Sequence, residues 1–195
     1  MFIEPSNSSA INRRSGWVEV ICGSMFSGKT EELIRRLNRA LLAKQKVEIF
    51  KPKVDKRYSK NDIVSHNETT IKSTPVHFAR DILLQCDDSE VIGIDEAQFF
   101  DPDIVLVTNE LANRGKRVIL AGLDMDFQGI PFEPMDKLMC IAEYITKVHA
   151  ICMDCGNVAS YSYRRGRSTK KVVLGEKDIY EALCRTCFQQ KMSNG

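Results

Sequence analysis

One stretch of eight residues limits the possible folds of this chain more than any other feature. Residues 23–30 read GSMFSGKT and match the pattern G-x-x-x-x-G-K-[ST], which is typical of a loop that wraps the phosphates of a nucleotide. The segment before it, residues 17–22, is short and apolar, and apolar residues recur at helical spacing over residues 29–44. The sequence therefore predicts a strand, a phosphate loop and a helix in that order, and with them nucleotide binding.

The residues of this loop have distinct expected roles. Glycines let backbone N–H groups approach phosphate oxygens, and the start of the following helix adds the positive end of its dipole. Lys29 is expected to reach the β- and γ-phosphates, and the Thr30 hydroxyl to join the coordination shell of Mg²⁺. The predicted phosphate-binding residues are Gly23, Ser24, Met25, Phe26, Ser27, Gly28, Lys29 and Thr30.

An acidic pair, Asp95 and Glu96, follows a second apolar segment, Val91–Ile94. A carboxylate at the end of a core strand can hold Mg²⁺ opposite Thr30, directly or through water. A carboxylate beside it can accept the proton of an attacking hydroxyl group. Spacing alone leaves open whether that acceptor is water or a hydroxyl compound, and whether the two acids are simply a solvated strand end.

The order of the predicted elements indicates the fold class. Strands are predicted at 17–22, 47–50, 91–94 and 117–123, and helices at 29–44, 77–86 and 102–114, with a polar loop between 51 and 70. Alternation of this kind predicts an α/β fold of the P-loop NTPase type, with a mainly parallel sheet flanked by helices. We expect a flexible leader at 1–15, a nucleotide-binding domain at 16–148 and a small cysteine-containing domain at 149–195.

Composition excludes some classes of function. The formal net charge is +2, so there is no electrostatic case for a dedicated nucleic-acid or membrane binder. No run approaches the about 20 apolar residues that a membrane-spanning helix needs. Residues 1–16 lack the apolar centre of a signal peptide, so the expected compartment is the cytoplasm.

Four of the seven cysteines form two C-x-x-C pairs, Cys152 with Cys155 and Cys184 with Cys187. Four thiolates suit tetrahedral zinc, and a site with all four positions filled by protein is structural. Two redox dithiols are the alternative interpretation. The other three cysteines, Cys22, Cys86 and Cys140, are expected to be core thiols.

Taken together, the motifs resemble those of the type II thymidine kinases. The resemblance covers nearly the whole chain, from residue 17 to 188. It rests on GSMFSGKT at 23–30, DKRYS at 55–59, VIGIDEAQFF at 91–100, LDMDFQGIPF at 123–132, and the two cysteine pairs around a loop that ends in DIY at 178–180. Each motif alone is common, whereas the combination in this order is specific.

The resemblance implies a function and a set of site residues. It implies transfer of the γ-phosphoryl group of ATP to the 5′-hydroxyl of thymidine, with Mg²⁺ and a structural Zn²⁺, by a homotetramer that dTTP inhibits. Glu96 matches the catalytic base, Asp95, Ala97 and Gln98 belong to the same ATP-site segment, and Arg57 matches an arginine that faces the phosphates. The residues that match the nucleoside site and its covering lasso loop are Phe99, Phe127, Ser162, Lys171, Val172, Val173, Leu174, Gly175 and Tyr180.

Two alternatives belong to other classes of function. A guanine-specific switch would carry an N-K-x-D element after a later strand, where this chain has LDMDFQG at 123–129. A zinc ribbon fused to an ATPase would bind nucleic acid, and the near-neutral charge argues against it. Within the kinase class, another deoxynucleoside such as deoxyuridine remains possible as the better substrate.

Overall fold

The computed structural model describes residues 16–53, 62–64, 70–165 and 179–193. The strands, numbered in chain order, are β1 (Trp17–Gly23), β2 (Val47–Pro52), β3 (Asp62–Val64), β4 (Thr70–Lys72), β5 (Thr74–Val76), β6 (Val91–Ile94), β7 (Arg117–Leu123), β8 (Tyr144–Lys147), β9 (Ala150–Ile151), β10 (Val158–Ala159), β11 (Tyr161–Arg164) and β12 (Tyr180–Leu183). The helices are α1 (Lys29–Leu42), α2 (Ile104–Asn113), α3 (Met135–Ile141) and α4 (Arg185–Ser193), and 3₁₀ turns lie at Ala79–Leu84 and Ala97–Phe99.

A six-stranded sheet in the order β5-β2-β6-β7-β1-β8 forms the centre of the larger unit. Every neighbouring pair in it is parallel. The carboxyl ends of the strands therefore lie along one edge of the sheet, which is where ligands bind in open α/β folds. This arrangement confirms the predicted fold class and brings the ends of β1, β6 and β7 together.

Helices cover both faces of this sheet, each over its own apolar core. Leu33, Ile34 and Leu37 of α1 pack on one face. On the other face α2 and α3 contribute Ile104, Val107 and other apolar residues to a second core. The helix residues of both cores pack against side chains of the parallel strands, which are buried on both faces as their apolar runs predicted.

A buried ion network fixes α1 to the sheet. The Glu19 carboxylate of β1 lies 2.8 Å from a guanidinium nitrogen of Arg36 in α1 and 2.6 Å from one of Arg117 in β7. Arg36 also donates to Glu32 and to Thr146 of β8, each at 2.8 Å. Because buried charges need paired and hydrogen-bonded partners, this network sets the position of the helix that begins at the phosphate loop.

Some elements differ from the sequence prediction. The segment predicted as a helix near 77–86 is a 3₁₀ turn at Ala79–Leu84. The polar stretch 51–70, predicted as a loop, contains β3, which pairs antiparallel with β4. Neither α3 nor the edge strand β8 was predicted. Strand β8 is largely exposed and lacks the apolar pattern of a core strand.

A smaller unit follows β8. Two antiparallel hairpins, β9–β10 and β11–β12, pack with α4 around a third apolar core that includes Tyr161, Leu183 and Phe188. Phe26 of the phosphate loop and Met125 pack against this same core. The smaller unit therefore touches the edge of the sheet at which β1 and β7 end. Within the described ranges, no helix is both long enough and apolar enough to cross a membrane.

Candidate active site

The phosphate loop connects β1 to α1 and depends on unusual backbone geometry. Gly23 and Gly28 have positive φ angles, and a Cβ on Gly23 would lie 2.2 Å from the carbonyl oxygen of Val148. Phe26 also has a positive φ of 63°. Only glycine fits at position 23, because the backbone after β8 passes against the loop there.

Polar groups of the loop converge on one carbonyl. The Lys29 ammonium group and the Ser27 hydroxyl both donate to the Ser24 carbonyl oxygen at 2.7 Å. Lys29 is the first residue of α1, so its charge lies at the positive end of the helix dipole. This combination of cation, helix start and glycine-bearing loop is the arrangement that phosphate groups bind in proteins.

The acidic pair lies opposite the loop, at the end of β6. The Thr30 hydroxyl lies 3.3 and 3.4 Å from the two Asp95 carboxylate oxygens. Glu96 and Leu123 line the same cavity as loop residues 25–30. The structure thus brings together the two motifs that the sequence predicted would share one site.

Glu96 has a backbone conformation that few glutamates adopt. Its φ and ψ are 52° and 42°, in the left-handed region. Asp95 accepts a hydrogen bond from the Glu96 backbone N–H at 3.0 Å, which supports that conformation. Three described non-glycine residues have positive φ, and two of them, Phe26 and Glu96, line this cavity. Backbone strain of this kind concentrates at functional sites.

Two aromatic residues that are predicted for the nucleoside site, Phe99 and Phe127, have partners that the sequence did not predict. Phe99 meets Phe132 edge to face, with ring centroids 6.3 Å apart. The guanidinium carbon of Arg164, in β11, lies 3.5 Å from the centroid of the Phe127 ring. Arg164 is buried, so this cation–π contact joins the smaller unit to the loop after β7.

The Ser162 side chain makes direct contact with the phosphate loop. Its hydroxyl oxygen accepts a hydrogen bond from the Met25 backbone N–H at 2.9 Å. Ser162 is buried in β11, in register with Ala182 of β12. Ser162, which the resemblance assigns to the nucleoside, therefore also contacts the loop that is predicted to bind phosphates.

Replacing Ser162 with alanine is expected to weaken ATP binding about five-fold, because one net hydrogen bond contributes about 1 kcal/mol. Titration with ATP in the absence of nucleoside measures this effect separately from any effect on the acceptor. The matched control is Ser160→Ala, since the Ser160 hydroxyl contacts His149 at 3.1 Å. Ser162→Thr keeps a hydroxyl group and should restore binding. Unchanged affinity in Ser162→Ala would contradict the proposed support of the loop.

The remaining predicted site residues divide into two groups. Tyr180 is buried in β12, opposite Arg164 in the hairpin. Ala97 and Gln98 are buried in the 3₁₀ turn that follows the acidic pair. The rest lie outside the described residues: Arg57, Lys171, Val172, Val173, Leu174 and Gly175.

An ion pair between a buried aspartate and an exposed lysine was not predicted. Asp124 follows β7 directly, as Asp95 follows β6, and its carboxylate lies 2.6 Å from the Lys147 ammonium group at the end of β8. The interaction with Asp124 raises the pKa of Lys147. Burial, with Asp124 as the second cause, raises the pKa of Cys22 to about 11. Cys22 is therefore a neutral thiol at physiological pH. For Asp124, the sequence signal that could have identified it was its position directly after a core strand.

The four paired cysteines form one compact group. The sulfur atoms of Cys152, Cys155, Cys184 and Cys187 all lie within 4.8 Å of one another. A tetrahedral zinc site with Zn–S bonds of about 2.3 Å places its sulfurs about 3.8 Å apart, and the Cys155 and Cys184 sulfurs are separated by 3.6 Å. The group therefore fits a structural zinc ion.

The thiols of this group differ in acidity. Burial raises the pKa of Cys152, but backbone N–H groups of Cys184, Cys155 and Asp154 outweigh that effect and lower it to about 6. Hydrogen bonding with the Cys184 side chain raises the pKa of Cys187. Four sulfurs this close repel one another when ionised, and a bound divalent cation removes that repulsion.

The other cysteines are only partly as predicted. Cys22 and Cys86 are buried core thiols. Cys140, in α3, is exposed, so the prediction that it is a core thiol is wrong. Its helix presents one face to the core, through Met135 and Leu138, and position 140 lies off that face.

Comparison with known proteins decides the family. The family model described as thymidine kinase matches residues 16–188. The chain belongs to the thymidine kinase family. A thymidine kinase of Rhodothermus sp. is 60% identical over 174 residues, which cover 89% of this chain and 82% of that protein. Thymidine kinases of Bacteroides fragilis and Porphyromonas gingivalis are 58% and 55% identical, over 92% and 97% of this chain and 90% and 93% of theirs.

Membership of the thymidine kinase family confirms the resemblance and makes the protein a phosphotransferase. The matched region includes the phosphate loop, the acidic pair and all four paired cysteines. The geometry of the cavity and the family assignment therefore point to the same class of chemistry.

Proposed function

We propose that this kinase transfers the γ-phosphoryl group of ATP to the 5′-hydroxyl group of thymidine, giving dTMP. One observation carries the proposal: Glu96, the candidate base, lines the same cavity as Lys29 and Thr30 of the phosphate loop. A base beside the phosphate-binding residues can orient an acceptor hydroxyl group towards the phosphate to be transferred. In a hydrolase the same arrangement would activate water. Membership of the thymidine kinase family favours a nucleoside as the acceptor instead.

Lys29, the loop amides and Glu96 have separate roles in this proposal. Phosphoryl transfer passes through a loose transition state, so positioning and charge neutralisation supply most of the catalysis. Lys29 and the backbone N–H groups of the loop bind the β- and γ-phosphates. Glu96 accepts the proton of the 5′-hydroxyl group. The 5′-oxygen bonds to the γ-phosphorus as the bond between that phosphorus and the ADP oxygen breaks.

Two metal ions belong to the proposal. Mg²⁺ prefers oxygen ligands, and the hydroxyl of Thr30 beside the carboxylate of Asp95 fits that preference. When bound, Mg²⁺ neutralises charge on the phosphates. Zn²⁺ would be held by Cys152, Cys155, Cys184 and Cys187 and would stabilise the smaller unit.

The proposed nucleoside site lies between the two units. Phe99 and Phe127 would contact the base, and Ser162 and Tyr180 would contribute from β11 and β12. Support comes from the contact between β11 and the phosphate loop, which puts this hairpin next to the ATP side. Residues 171–175 and Arg57 keep their predicted roles in covering the nucleoside and facing the phosphates.

The proposal extends to organisation and regulation. We assign ATP binding to residues 16–148 and closure over the acceptor to residues 149–195. We expect no stable contact with nucleic acid. Family resemblance adds a homotetramer, a cytoplasmic location and inhibition by dTTP. These properties stay predictions, and size-exclusion chromatography with light scattering tests the first of them.

An acceptor panel tests the function. ADP release is measured with Mg²⁺-ATP and, in turn, thymidine, deoxyuridine, deoxycytidine, deoxyadenosine, deoxyguanosine and no acceptor. We expect release that depends on thymidine. A rate of ADP release that is higher with deoxyuridine than with thymidine would support the kinase assignment and make deoxyuridine the preferred substrate. ADP release at the same rate without any nucleoside would indicate a hydrolase or switch and overturn the proposal.

A further inference from the structure

Gln98 is a buried polar side chain in the 3₁₀ turn directly after Glu96, and it is 3% exposed. A buried amide needs hydrogen-bond partners on both its oxygen and its nitrogen. Its carbonyl oxygen accepts from the Leu123 backbone N–H, at the end of β7, at 3.0 Å. Its nitrogen donates to a Glu96 carboxylate oxygen at 2.5 Å. One side chain thus joins the candidate base to the end of a core strand.

The orientation of this amide is fixed by its partners. A backbone N–H can only donate, so the Gln98 atom facing Leu123 is the carbonyl oxygen. The NH₂ group must then face Glu96, where a carboxylate accepts it. The contact therefore requires an amide at position 98, since a carboxylate there would present oxygen to oxygen.

The surrounding packing holds Gln98 in place. A Cβ on Gly122 would lie 2.8 Å from the Gln98 carbonyl oxygen and 2.6 Å from the sulfur of Met135. The absence of a side chain at Gly122 is what leaves room for the amide against β7. Gln98 therefore has little freedom to turn away from Glu96.

Glu96 is held at two points as a result. Asp95 binds its backbone N–H at 3.0 Å, in the left-handed conformation described above. Gln98 binds its carboxylate. The first contact fixes the backbone conformation at Glu96, and the second fixes the orientation of its carboxylate group.

We propose that Gln98 is a positioning residue for the base, which orients the Glu96 carboxylate towards the acceptor hydroxyl group. This inference rests on the proposed role of Glu96. Gln98 stays within the predicted ATP-site segment, and its contacts with Glu96 and with the end of β7 give it this more specific role. A misplaced catalytic group can cost about 100-fold in rate, whereas binding of ATP should change little.

Two substitutions of Gln98 separate positioning from a merely structural role. Gln98→Glu keeps an oxygen that can accept from Leu123 but removes the NH₂ group that faces Glu96. Gln98→Met removes both hydrogen bonds at similar size. We expect kcat to fall about 10- to 100-fold in both variants, with the KM for ATP within about two-fold of the original. Thermal unfolding shows whether each variant is folded, and we expect the larger drop in Tm for Gln98→Glu, because it places a second buried carboxylate against that of Glu96.

A double-mutant cycle gives the decisive readout. In a chain that already carries Glu96→Gln, adding Gln98→Met should change the residual turnover by less than about two-fold, because the group that Gln98 positions is no longer a base. Turnover is followed with γ-labelled ATP, which detects slow product formation. A merely structural role would lower turnover by the same factor in both backgrounds.

The outcomes distinguish this inference from the proposed function. Thymidine phosphorylation that is lost in Glu96→Gln but normal in both folded Gln98 variants would overturn the positioning role alone. Equal losses in both backgrounds would also overturn it. An original chain that makes no dTMP, or a fully active Glu96→Gln variant, would instead overturn the proposed function or the assignment of the base on which this inference rests.

Discussion

Replacing Glu96 with glutamine is expected to lower kcat for thymidine phosphorylation by about 10²- to 10⁴-fold, the range that general base catalysis contributes. Glutamine has the size of glutamate and can still accept a hydrogen bond from the Gln98 amide, so the turn after β6 should remain folded. It cannot accept a proton from the 5′-hydroxyl group at neutral pH. Steady-state turnover with saturating Mg²⁺-ATP and thymidine measures the loss.

ATP binding should be nearly unchanged in this variant, because Lys29 and the loop amides are intact. The matched control is Glu48→Gln, which makes the same chemical change at an exposed position on β2. The control should keep its turnover. Near-normal turnover in a folded Glu96→Gln variant would remove Glu96 as the base.

Replacing Cys184 with serine is expected to abolish stoichiometric zinc binding and most of the activity. A structural zinc ion can contribute about 10–16 kcal/mol to the folding of a small unit, more than its small core supplies. Cys184 follows β12 directly and packs against the third core, so loss of the metal should loosen the hairpin that carries Ser162 and Tyr180. The phosphate loop would then lose its hydrogen bond from Met25 to Ser162.

Elemental analysis of the purified protein measures the metal, and a thermal unfolding scan measures the loss of stability. About one zinc ion per chain is expected in the original protein and far less in Cys184→Ser. The matched control is Cys140→Ser, since Cys140 is exposed on α3 and outside the group of four. Its metal content and activity should not change. Equal zinc content in the two variants would exclude the four-thiolate site.

The sequence could predict that the phosphate loop and the acidic pair lie together, because both are short motifs at the ends of core strands. The phosphate loop follows directly from the end of β1 at Gly23, and Asp95 and Glu96 follow directly after β6. In a parallel sheet these ends must share one edge, so spacing and strand order were sufficient. The two C-x-x-C pairs predicted their own grouping in the same way, because the chemistry of zinc requires it.

Contacts between distant parts of the chain could not be predicted from local pattern. The hydrogen bond from Met25 to Ser162 joins residues 137 positions apart. The stacking of Arg164 on Phe127 depends in the same way on how the smaller unit docks. The Arg164 guanidinium group is buried against the Phe127 ring, and no local pattern around position 164 indicates this contact.

Local structure was least predictable where tertiary contacts decide it. The 3₁₀ turn at Ala79–Leu84 has a short apolar pattern that an α-helix would also show. The edge strand β8 pairs with β1 through its backbone, and its side chains are mostly exposed. Its position nevertheless matters, because Lys147 at its end pairs with Asp124, which directly follows β7.

The most direct test of the central claim follows the phosphoryl group itself. ATP labelled at the γ-phosphate is incubated with Mg²⁺ and thymidine, 5′-deoxythymidine or 3′-deoxythymidine, and the nucleotide products are separated. We expect the label in the monophosphates of thymidine and 3′-deoxythymidine, and none on 5′-deoxythymidine, which lacks the acceptor oxygen. Label released only as inorganic phosphate, at a rate independent of nucleoside, would contradict the account.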